Sequence, residues 1–64
     1  MYDVLYFDRA SHARVIAARL GRESAVTIAR AEARRRRVGR MFLAGSEAPG
    51  GELVVIVESP RKAA

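Results

Sequence analysis

The sequence predicts an α+β domain of ββαββ order, in which one four-stranded, mainly antiparallel sheet carries a single long helix packed on one face. Three observations lead there. Branched and aromatic residues gather in short runs near both ends, Tyr2–Phe7 and Leu53–Val57. The middle of the chain is rich in alanine and arginine, both strong helix formers. Polar and glycine-containing links separate these blocks at the lengths that turns use. With 64 residues there is room for one such domain, assigned to residues 1–58, and residues 59–64 read as a disordered basic tail.

Tyr2 to Asp8 is aromatic and branched with no helix cap, and is predicted as the first strand. The polar link Arg9–His12 follows. Ala13 to Leu20 fits two templates. Ala13, Ile16, Ala17 and Leu20 have the i, i+3, i+4, i+7 spacing of a helix, with Ser11 as a cap and Gly21 as a stop. As a strand the segment puts Ile16, Ala18 and Leu20 on one face and matches the first strand in length across a short loop. The hairpin is the preferred reading, because the helix would be short.

Arg22 to Val38 is predicted as the helix, with Glu23 in its first turn and arginines crowding its last, in accord with the macrodipole. Gly39 is the expected stop. Helical periodicity gathers Ala25, Val26, Ile28, Ala29 and Ala33 in one arc and leaves Arg30, Arg34 and Arg37 outside it. An alanine face lets the helix lie close on a sheet. Glu32 and Arg36, at i, i+4, form either a pair at the edge of that interface or a solvated surface pair. Met41–Ala44 and Leu53–Val57 are the third and fourth strands. Between them Gly45–Gly51 has turn chemistry, with Pro49-Gly50 suited to a type II turn. A right-handed crossover through the helix from the second strand to the third closes a single sheet.

Hydrophobic residues make up 50% of the chain, but 12 of them are alanines, so the core is thin. Cysteine is absent and His12 is the single histidine, which excludes disulfides and the usual zinc sites. Small chains without such staples tend to oligomerise. In Val4–Phe7, Met41–Leu43 and Leu53–Val57 both alternating sets are apolar, whereas one helix covers one sheet face. A symmetric homodimer through the sheet is therefore expected, with Phe42, Val54 and Ile56 on the dimer face.

The net charge of +5 resides wholly in Arg22–Arg40, where seven arginines oppose Glu23 and Glu32; the rest of the chain is balanced. Potentials add at such short range. Arg30, Arg34 and Arg37, flanked by Arg35 and Arg40, are thus the candidate nucleic-acid or anion-binding residues, since guanidinium forks match phosphates. An acidic protein surface is the other partner such a stripe suits. A charge run that merely solvates a helix, in the arginine- and alanine-rich composition of a GC-rich genome, explains the same residues without a partner. The stripe has no Asn or Gln to read adenine, so binding would be nonspecific. Tyr2, Tyr6, Phe7 and Phe42 could form a stacking platform on the open sheet face, but the basic helix would then point the other way.

Catalysis is not expected. His12 with Asp8 is the one conceivable proton-transfer pair, and the serines lack a second histidine as base. Gly50-Gly51 lacks the lysine and following helix of a phosphate loop. Asp8, His12 and Glu58 can be drawn as a metal set that nothing in their spacing demands. No catalytic residue, metal, cofactor or small-molecule substrate is expected. No apolar run approaches the ~20 residues of a spanning helix, and the first residues carry acid where a signal peptide carries base. A cytoplasmic protein without a membrane partner is the expectation.

The helix segment Glu23-Ser24-Ala25-x-x-x-Ala29-Arg30-x-Glu32-Ala33, set between a leading hairpin and a trailing pair of strands, resembles short bacterial domains of unknown function with a ββαβ or ββαββ pattern and an A-x-x-x-A-R-x-x-A helix. The first-strand aromatic of such domains falls on Tyr2 or Tyr6. The resemblance implies a fold and carries no activity or ligand.

Overall fold

The computed structural model describes residues 1–43 and 50–60. In chain order they form β1 (Tyr2–Phe7), β2 (Ala13–Leu20), α1 (Arg22–Arg36), β3 (Gly39–Phe42) and β4 (Leu53–Glu58). The four strands make one sheet in the order β2-β1-β4-β3. β1 is antiparallel to both its neighbours, while β3 pairs with β4 in parallel. The edge strands β2 and β3 therefore point the same way, and α1 connects them by passing over β1 and β4.

Asp8 shapes the β1–β2 turn. Its carbonyl accepts from the Ser11 N–H at 3.0 Å, and its own N–H donates to the His12 carbonyl at 3.1 Å. Its Oδ1 accepts from the Ala10 and His12 N–H groups, each at 2.9 Å. Ser11 takes a left-handed conformation (φ 63°) at the last loop position, where a three-residue hairpin loop requires one.

Residues 13–20 are a strand, and an irregular one. Leu5 pairs with Val15, Val4 with Ala17 and Tyr2 with Leu20, so the register shifts twice along β2. Arg19 is left-handed (φ 55°) at the second shift, and Asp3 Oδ1 takes up its N–H at 3.0 Å. The bulges turn Ile16, Ala17 and Leu20 toward the same side, whereas Ala18 is exposed. A helical spacing of apolar residues is thereby satisfied by a strand.

Gly21 caps α1 through its carbonyl, which accepts from the Ala25 N–H at 2.9 Å. Ala25, Ala29 and Ala33 are buried on the sheet, flanked by half-buried Val26 and Ile28. The helix ends earlier than the expected Gly39. Arg37 adopts the left-handed conformation (φ 56°, ψ 44°), and the Val38 N–H bonds the Ala33 carbonyl at 3.0 Å. That six-residue closure lets Val38 fold back onto the core. Gly39 instead opens β3, where a Cβ would sit 3.2 Å from Leu53 Cδ1.

The strand expected at Met41–Ala44 begins two residues earlier. β3 and β4 are parallel, so no tight hairpin joins them; Ala44 of the expected third strand and residues 45–49 of the expected turn lie outside the described residues. So do residues 61–64 of the expected tail. Ser59, its first residue, is tied to β1: its N–H donates to the Met1 carbonyl at 2.9 Å and its hydroxyl to Asp3 Oδ1 at 2.5 Å.

The core joins Val4, Val54 and Ile56 to the three alanines, with Tyr2, Tyr6, Ile16, Leu20, Val26, Ile28 and Val38 packed around them. This corrects the expected dimer face, since Val54 and Ile56 lie under the helix. The alternate set, Leu5, Phe7, Leu53, Val55 and Val57, points to the opposite face. There Val55 and Phe7 are themselves buried, while Val15 and Met41 are exposed. No described helix is long and apolar enough to cross a membrane.

Candidate functional site

Which arginines are available to a partner depends on where the carboxylates are. Glu32 receives Arg35 at 2.9 Å and Arg36 at 3.3 Å, so the expected i, i+4 pair forms and gains a third member. These charge-assisted bonds hold the Glu32 carboxyl below its ordinary pKa, Arg35 contributing most. Arg36 is half-buried and lies 4.3 Å from the centre of the Tyr6 ring, a cation–π contact at the helix–sheet seam. Tyr6 donates to Glu52 at 2.6 Å, and Arg9 donates to the other oxygen of the same carboxylate at 2.9 Å. Hence the Tyr6 hydroxyl is pushed above its usual pKa by Glu52, and Glu52 is lowered by Tyr6 and then Arg9. Asp3 and Asp8 are engaged by Ser59 and by backbone N–H groups.

Four of the five candidate arginines remain. Arg30, Arg34, Arg37 and Arg40 are exposed and have no carboxylate partner among the described residues; Arg35 is committed to Glu32. Arg30 and Arg34 stand on the outer flank of α1, about 6 Å apart along its axis. Arg37 has left the helix, and its left-handed backbone takes it off the straight stripe. Arg40 lies on β3 opposite Val54, which places it on the helix side of the sheet.

Phe42, like Val54 and Ile56, is on the other side of the sheet from the one expected. It pairs with Ile56, so it too lies on the helix side, and it is 48% exposed. Tyr2 meets it edge-to-face with ring centres 6.3 Å apart, and the Arg22 guanidinium lies 5.5 Å from its centre. Arg22 in turn lines a shallow groove with Glu23, Val26, Thr27 and Arg30. Tyr2, Tyr6 and Phe42 thus share the side that carries the basic helix, and only Phe7 of the expected platform faces away. Arg22, absent from the candidate set, links the aromatic residue to the arginine flank. A hint was its position at the helix start, one turn before Val26.

The second cluster of polar groups lines a recess near the hairpin turn, formed by Tyr6, Asp8, His12, Ala13, Arg14 and Arg36. His12 Nδ1 is 3.8 Å from Asp8 Oδ2, both side chains being well exposed. Glu58 lies at the other end of the sheet: Tyr2 pairs with Glu58 and Phe7 with Leu53, a separation of about 17 Å. The drawn metal set is therefore not assembled, and the described residues include no group of three potential ligands.

No protein-family model, curated protein or solved structure matches this chain. Function is accordingly read from the geometry.

Proposed function

We propose that the protein is a small binding module for nucleic acid, held by electrostatic contact with the phosphate backbone and without base-specific reading. One observation carries this: Arg30, Arg34, Arg37 and Arg40 are exposed and in no ion pair among the described residues, while Glu32, Glu52, Asp3 and Asp8 are engaged elsewhere and Glu23, in the groove with Arg30, is the other carboxylate on the helix. Arginines that only solvate a helix need no such segregation, since surface pairs form wherever carboxylates are in reach. The homodimeric interaction module expected from the sequence has less support, because two of its three proposed contact residues are core residues.

Fluorescence anisotropy of labelled duplex DNA and RNA between 50 and 200 mM salt tests the reading. With three or four phosphate contacts, log K should fall with log salt at a slope of about −3 to −4. Arg30→Ala and Arg34→Ala should each flatten the slope by about one unit, and Arg9→Ala, whose side chain is paired with Glu52, should leave it unchanged. Undetectable binding to both nucleic acids at 50 mM salt refutes the proposal.

A further inference from the structure

We infer that the ligand of this surface is a single strand, with a base stacked on Phe42 while the flanking phosphates meet Arg22, Arg30 and Arg40. This deepens the reading above and rests on it. Two independent features point the same way.

The first is an exposed aromatic ring in contact with a guanidinium, that of Arg22. Phe42 keeps 48% of its surface free although it is an edge-strand residue with an apolar core beside it. The ring is held in place: Tyr2 sets its orientation edge-to-face at 82°, and it belongs to a hydrogen-bonded strand rather than a loop. A rigid, half-exposed aromatic residue loses little entropy when a base settles on it. Duplexes keep their base faces inside the stack, so this ring gains nothing from a duplex. An unpaired strand offers a base face at every nucleotide.

The second is the gathering of cations beside the ring at the α1–β3 edge. Arg40 and Phe42 are two residues apart on β3, about 7 Å, and both are on the helix side. Arg22 reaches the Phe42 ring, and Arg30 follows about 12 Å along the helix on the same groove. Because β3 runs antiparallel to α1, Arg40 and Arg30 both lie back from the Phe42–Arg22 contact toward the helix C-terminus, so the ring stands at one end of a basic cluster and the phosphates of a strand stacked on it can continue toward Arg30 and Arg40. Between Arg22 and Arg30 the groove is lined by Val26, Thr27 and Glu23, so a strand laid in it meets two guanidiniums and one exposed carboxylate. Arg22 also has no carboxylate partner among the described residues, so a phosphate can take it without breaking an ion pair.

Anisotropy with a labelled oligothymidylate and with a duplex of the same length, each over the same salt series, provides the test. The single strand should bind more tightly. Phe42→Ala should weaken single-strand binding by about 5- to 150-fold, the range set by loss of one stacked base, and leave duplex binding within about 2-fold. The salt slope for the single strand should stay the same, because no phosphate contact is removed. Phe42→Tyr should retain the affinity and Phe42→Leu should lose it, a comparison that holds even if the alanine variant is poorly folded. Equal affinity for strand and duplex, or Phe42→Leu binding as tightly as wild type, overturns the inference while nonspecific binding stands. Absence of binding to either oligonucleotide at 50 mM salt overturns both.

Discussion

Replacing Ala29 by leucine tests the close helix–sheet contact on which the whole arrangement rests. Ala29 is fully buried in the middle of the helix, between Ala25 and Ala33, within a core that includes Val4, Val54 and Ile56. Leucine adds three carbons at that point. If space existed for them, burial would stabilise the fold by about 0.8 kcal/mol for each, roughly 2.4 kcal/mol altogether. A contact already set by alanine offers no such space, so the helix must lift or the strands shift, which costs about 1–3 kcal/mol. For a domain whose stability is on the order of 3–10 kcal/mol, that is a substantial share. The thermal midpoint should fall by roughly 4–8 °C for each kcal/mol lost. Circular dichroism melts and urea titrations of Ala29→Leu beside Ala31→Leu, an exposed position on the same helix, give the measurement. The control should stay within about 0.5 kcal/mol of wild type. An Ala29→Leu protein as stable as wild type refutes the reasoning, because the helix would then stand off the sheet and Arg22 could not reach Phe42.

Two further outcomes follow from the backbone and from the carboxylates. Arg37→Gly should raise stability by about 1 kcal/mol, since the left-handed conformation that ends α1 is strained for arginine and free for glycine; a lowered melting temperature would contradict this. The same variant removes an unpaired charge, so duplex binding should weaken while the fold tightens. Asp3, Asp8, Glu32 and Glu52 all have folded-state pKa values below their unfolded ones, Asp3 chiefly through the Ser59 hydroxyl and Asp8 chiefly through the His12 N–H. Their contribution is complete above the unfolded carboxylate range, near pH 4, and is lost as pH falls through the lower folded values. The urea midpoint should therefore drop between pH 7 and pH 3, and Asp3→Asn should narrow that difference; an undiminished difference would remove Asp3 from the account.

The alanine face of α1 was legible because three buried positions at i, i+4, i+8 leave an unmistakable arc, and the hairpin because the polar link Arg9–His12 separates two segments of matching length. The sheet parity was not. In Leu53–Val57 every residue is apolar, so sequence offers no way to choose between Val54/Ile56 and Leu53/Val55/Val57 as the face under the helix. A one-residue choice exchanges the two sets completely. Residues 13–20 form the expected strand, but not with Ile16, Ala18 and Leu20 on one face: their bulges bring Ile16, Ala17 and Leu20 to one side, a pattern that an ideal strand would not show and a helix would. The helix end was displaced because a residue with a side chain, Arg37, holds a conformation for which glycine is the usual occupant. Tyr6 and Glu52, far apart in sequence, carried no sign of their hydrogen bond.

The position of Phe42 follows from how α1 meets β3. Only Arg37 and Val38 separate the two elements, and the left-handed turn at Arg37 sends the chain back beneath the helix it has just left. β3 therefore runs antiparallel to α1, and its last residue comes level with the helix start, where Arg22 waits. A glycine stop at Gly39 would have lengthened the helix by half a turn and moved this alignment along the strand. The parallel pairing of β3 with β4 then fixes which side Phe42 faces, because its partner Ile56 is buried under the helix. Phe42 itself lies one strand farther out, at the sheet edge, where the helix no longer covers it. A short turn, a parallel pairing and an edge position together place an exposed ring among arginines that the sequence distributes over separate elements.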